Sequence, residues 1–92
     1  MPPTKRVIVD IDVQDYIRVT LSQAPDTQDC LIGVFKRLGQ GRLAYGPDVI
    51  DPRFHAVDQC GFTILFSDRG NTLYITELIF PARNGLRGIL GP

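Results

Sequence analysis

One stretch constrains this chain more than any other: residues 54–83, FHAVDQCGFTILFSDRGNTLYITELIFPAR. It is dense in β-branched and aromatic residues and punctuated by turn residues, which is the composition of successive strands rather than of a helix. Phe62, Ile64 and Phe66 alternate with Thr63, Leu65 and Ser67, so one face of that strand is strongly apolar and the other mixed. Asp68-Arg69-Gly70-Asn71 has hairpin-turn chemistry, with Gly70 able to take a positive φ. Leu73 to Phe80 returns as the partner strand. Strict alternation gives it the faces Leu73, Ile75, Glu77, Ile79 and Tyr74, Thr76, Leu78, Phe80. Phe54, Ala56 and Val57 make a shorter strand before it, broken at Asp58-Gln59. Pro81 ends the ladder, because it has no N–H to give.

Upstream the period changes. Val7, Ile8, Val9 and Ile11 form a short β-branched run, read as a strand. Asp12 then stands as a helix N-cap, with Asp15 as the acid of a capping box. Val13, Tyr16, Ile17, Thr20 and Leu21 fall at helical spacing over about three turns. That helix stops near Ser22 to Ala24, ahead of Pro25. A second helix is capped by Asp26 and buries Cys30, Leu31, Val34, Phe35 and Leu38, with Lys36 and Arg37 in its last turn and Gly39 closing it. Gln40 to Arg53 carries the breakers Gly41, Gly46, Pro47 and Pro52. It reads as a surface connection with an extended piece at Leu43 to Tyr45.

The expected architecture is therefore α+β, ordered β-α-α-β-β-β, an antiparallel sheet meander packed against an N-terminal helical hairpin. Ninety-two residues allow a single domain, 1–92, with residues 1–6 and 84–92 as loose termini.

Charge narrows the function classes. Ten basic residues cancel ten acidic ones, whereas nucleic-acid binders usually carry a basic excess that neutralises phosphates. Two cysteines and one histidine fall short of the four ligands of a structural zinc site. Without CxxC spacing, Cys30 and Cys60 read as reduced, largely buried thiols of a cytoplasmic protein, with a single disulfide arithmetically possible. No secretory h-region opens the chain, and no apolar run approaches the ~20 residues that span a bilayer. No cofactor motif is present: Gly39-Gln40-Gly41 follows a helix instead of opening one.

The element order and the hydrophobic pattern of FHAVDQCGFTILFSD and LYITELIFPAR resemble the RelE/ParE superfamily of bacterial toxin–antitoxin pairs, over roughly residues 7–84. The resemblance implies two activities found in that superfamily: ribosome-dependent mRNA cleavage, or inhibition of DNA gyrase by binding. It also implies an antitoxin segment that wraps the helices and sheet. Arg83 fits the arginine after the last strand. Ala82 stands where histidine is usual, and Phe62-Thr63-Ile64 replaces the inner-strand arginine. The basic and aromatic side chains of the mRNA-cleaving members are thus mostly missing.

Candidate chemistry is correspondingly thin. His55, Arg53 and Arg83 are the residues a nuclease reading would use, and a histidine base needs a group that orients it. The plainer account of His55 is a half-exposed strand position. Asp10, Asp12 and Asp15 are better explained by helix initiation than by a metal. Cys60 would need a positive neighbour to become a nucleophile. Tyr45, Arg69, Arg83, Arg87, Ile89 and Leu90 are the residues expected to offer a binding surface. The expected function is protein binding by a toxin-like inhibitor or a non-catalytic member of such a family. The alternatives are an mRNA interferase and a phage-type or oligomeric inhibitor that binds a host protein. The partner would be an antitoxin, a target protein or a second copy in a homodimer.

Overall fold

The computed structural model describes residues 4–83. β1 (Arg6–Val9) leads into α1 (Ile11–Asp15), which continues as a π-helical turn over Tyr16–Thr20. α2 (Pro25–Gly39) follows, then β2 (Gly46–Pro47), β3 (His55–Gln59), β4 (Phe62–Asp68) and β5 (Thr72–Ile79). The fold is α+β, with five strands in the order β1-β5-β4-β3-β2.

The sheet is mixed, which corrects the all-antiparallel expectation. β2 to β5 form an antiparallel meander, but β1 lies parallel to β5, with Val7 opposite Leu73 and Val9 opposite Ile75. The two helical segments supply the crossover that a parallel pair requires. A fifth strand, β2, comes from the stretch read as a loop, where Gly46 pairs with Ala56 and Pro47 with His55.

Three helix boundaries differ from expectation. Asp10 caps α1 and accepts a bond from the Asp12 N–H, so the helix begins one residue before Asp12. Pro25 does not end a helix but opens α2 at its first position, where its missing N–H leaves nothing unsatisfied. Asp26 is accordingly inside that helix. The glycine that stops α2 is Gly41, at φ 70°. The Arg42 N–H donates to the Arg37 carbonyl and the Gly41 N–H to that of Leu38, a Schellman closure. Gly39 remains helical and does something else: a Cβ there would lie 2.9 Å from the Lys5 carbonyl oxygen and from a Val7 methyl. Its bare backbone lets α2 close onto β1, where the Lys5 N–H donates to the Gly39 carbonyl.

The core lies between the helices and one face of the sheet. Val13, Leu31, Val34, Phe35 and Leu38 meet Val57, Phe62, Ile64, Phe66, Leu73 and Ile75. A register shift at Leu65/Phe66 makes Thr76 an extra residue in β5. Beyond this bulge the faces exchange, so Leu78 pairs with Ile64 and packs on the core while Glu77 pairs with Leu65. Strict alternation along residues 73–80 therefore fails at Thr76.

Gln59 and Phe62 close the β3–β4 hairpin through Cys60 and Gly61, at φ 60° and 82°. Two positive φ values suit the right-handed strand twist. Cys60 is disulfide-bonded to Cys30, with Cα atoms 6.0 Å apart, which pins α2 to this hairpin. The reading of two reduced thiols is corrected. Helical phase carries Cys30 to the surface of α2, and the turn carries Cys60 to meet it.

Candidate functional site

A groove runs along the outer side of β1. Parallel pairing uses alternate peptide groups, and here the Arg6 N–H donates to Asn71 and the Asp10 N–H to Ile75. The peptide groups of Val7 and Val9 therefore point away from the sheet. Gln14 Nε2 bonds the Val9 carbonyl and Gly39 takes the Lys5 N–H, so the exposed stretch is bounded at both ends. Between them stand the Val7 N–H and C=O and the Val9 N–H.

Two adjoining hollows flank this edge. One, of about 510 Å³, is lined chiefly by Val7, Val9, Ile17, Ile32, Phe35 and Arg18. The other, of about 340 Å³, adds Lys5, Lys36 and Gly39 to the same valines. Ile8 and Ile32, both lining the larger hollow, remain 38% and 46% exposed. Among the described residues the linings hold three cations, Lys5, Arg18 and Lys36, and no carboxylate.

The cations are held differently. Lys5 Nζ bonds both carboxylate oxygens of Asp68, at 2.9 and 3.0 Å. This bond holds the Lys5 pKa above its usual value. Asp68 also accepts a 2.6 Å bond from the Tyr45 hydroxyl. The bonds from Tyr45 and Lys5 hold its carboxyl below the usual range, while burial and the same bond push the Tyr45 phenol up. Arg18 pairs with Asp15 at the surface. Lys36 is in no ion pair among the described residues.

The described residues among those singled out from sequence fall into distinct groups, none of them at the β1 groove. Tyr45 belongs to an aromatic cluster with His55 and Phe66, at centroid distances of 5.3 and 4.8 Å. His55 is thus on the core face of β3, and its Nδ1 is the one buried side-chain polar atom without a partner among the described residues. Nothing orients it as a base. Arg53 is 83% exposed and forms a bidentate pair with Asp51. Arg69 stacks over the Tyr74 ring.

Arg83 is not a free surface arginine. Its Nη1 donates to Asp48 at 2.6 Å, and its backbone N–H donates to Thr63. Burial pushes the Asp48 carboxyl up. Bonds from the Asp51 N–H, Arg83 and the Ile50 N–H outweigh this and leave it below its usual range. Arg53 and Arg83 are thus tied into one loop network through Asp51 and Asp48, whereas His55 packs among aromatic rings on the core face. Arg87, Ile89 and Leu90 lie outside the described residues.

No group of three or more His, Cys, Asp or Glu among the described residues could hold a metal, and no described helix is long and apolar enough to cross a membrane. Sequence reasoning overlooked the β1 groove, although the run Arg6–Val9 followed by exposed Ile32 on α2 carried a signal for it. Compared with known proteins, the chain matches no family model, no curated protein and no solved structure.

Proposed function

We propose that this protein acts by binding another protein chain through the outer edge of β1, as a toxin-like inhibitor or a non-catalytic relative of one. The observation that carries the reading is a strand edge left open among the described residues beside an apolar groove, a surface suited to strand addition. The pairing of Arg53 with Asp51 and of Arg83 with Asp48, and the lack of an orienting partner for His55 among the described residues, weigh against the interferase alternative. In this reading the two helical segments act together as a hairpin whose outer rows, Ile17 and Ile32, form the groove wall. A second copy or a host target could use the same edge. The cytoplasmic placement expected from free thiols is not part of the proposal, because disulfides persist chiefly in oxidising compartments.

Expression in bacteria tests it, with growth, mRNA integrity and DNA supercoiling followed together. The reading expects growth arrest with intact mRNA, relieved by Ile32→Glu in the groove wall. Ribosome-dependent mRNA cleavage that disappears in His55→Ala or Arg83→Ala would establish the enzyme instead. Absence of any toxicity sinks the inhibitor role.

A further inference from the structure

We infer that the β1 groove takes an extended segment with apolar residues at its centre and carboxylates flanking them, added to the sheet as a sixth strand. The inference rests on the binding reading above and specifies its partner. Backbone recognition would come from the Val7 N–H and C=O and the Val9 N–H, which alternate pairing turns outward. Inward-facing side chains of the guest, two residues apart, would lie over Val7, Val9, Ile32 and Phe35, the apolar floor common to both hollows.

Charge selects the flanks. Lys36 stands in the hollow at the Gly39 end, beside a Lys5 already bonded to Asp68, and Arg18 stands in the other. No carboxylate of the described residues lines either hollow. Lys36 has no ion-pair partner among the described residues, and the Arg18–Asp15 pair is exposed enough to exchange Asp15 for a guest carboxylate at little cost. A second copy of this chain fits less well. Antiparallel pairing of two β1 edges would set Lys36 of each copy toward Arg18 of the other, and like charges across an interface oppose association.

Titration calorimetry and amide exchange on the full chain, with designed seven-residue peptides, test this. The acidic probe is Glu-Thr-Val-Thr-Val-Thr-Glu, and its counterparts carry Gln or Lys in place of Glu. The acidic peptide is expected to bind about tenfold more tightly than the Lys peptide, with the Gln peptide between them. It should slow exchange at Val7 and Val9. N-methylation of its edge-facing amides should abolish binding. Lys36→Glu, at an exposed helix position that leaves the fold intact, should remove most of the preference for the acidic over the Lys peptide.

Equal binding of the three peptides overturns the acidic partner but leaves strand addition standing. Failure of every peptide to change Val7 and Val9 exchange overturns the binding reading itself. Concentration-dependent protection of those amides in the protein alone would assign the edge to a second copy and overturn the inference.

Discussion

Removal of the Cys30–Cys60 bridge is the perturbation whose magnitude follows most directly from the fold. The two cysteines are 30 residues apart, and bridging a loop of that length removes about 12 cal/mol/K of unfolded-chain entropy, or about 3.5 kcal/mol at 25 °C. Small domains have roughly 5–15 kcal/mol of stability in total. Cys30→Ser/Cys60→Ser should therefore lower Tm by about 15–25 °C. Urea denaturation of this variant and the parent measures the difference in free energy directly. A companion variant, Cys30→Ser/Cys60→Gly, separates the bridge from the turn. Cys60 adopts φ 60°, where any side chain is strained, so glycine should restore about 1 kcal/mol relative to serine. A loss below about 1 kcal/mol in the serine variant would refute the loop-entropy argument. Equal stability of the two double variants would refute the left-handed conformation of Cys60.

Three other substitutions report on single contacts. Gly39→Ala should destabilise by about 1–3 kcal/mol in urea denaturation, because its methyl meets the Lys5 backbone and Val7; a neutral result would mean that α2 does not close on β1. His55→Phe should raise stability by about 1 kcal/mol, since it replaces an unpartnered buried nitrogen by carbon beside Tyr45 and Phe66; a marked loss would point to an unseen role for Nδ1. Arg83→Ala should cost about 3 kcal/mol by leaving Asp48, with its side chain only 2% exposed, as a buried carboxylate without its cation. The parent should also lose stability in acid. The Asp48 and Asp68 carboxyls both sit below their unfolded value of 3.8, so their contribution is present above that pH. It is lost as pH falls below 3.8 through the lower folded values. Denaturation curves at pH 6 and pH 3 check this, and Arg83→Ala should flatten the dependence.

The amino-acid pattern made β4 and β5 legible as a hairpin because a turn sequence separates two apolar runs, but β2 lies beyond the extended piece expected at Leu43 to Tyr45, and β3 continues through Asp58-Gln59 to a turn at Cys60-Gly61. Gly70 marks the β4–β5 turn in the structure, as its residue type suggested. It did not reveal the bulge at Thr76, since a single inserted residue changes the face of every side chain beyond it without changing composition. β1 was legible as a strand but not as parallel to β5, because strand direction is set by the crossover and leaves no mark on Val7, Ile8 and Val9. The disulfide was hidden for a similar reason: Cys30 and Cys60 meet only once helical phase and the Cys60-Gly61 turn are both fixed. Residue type alone overrated Arg83, whose charge is used internally by Asp48. For His55, the half-exposed strand reading was close, and burial at Nδ1 adds what no local pattern shows.

The central claim is that β1 offers an open edge, and hydrogen exchange resolved at single amides tests it most directly. In the free protein, Arg6 and Asp10 donate their amides into the sheet, whereas those of Val7 and Val9 face outward. The account predicts slow exchange at Ile8 and Asp10 and fast exchange at Val7 and Val9, at every protein concentration. Uniform protection from Arg6 to Asp10 in dilute protein would contradict it, because the edge would then already be covered.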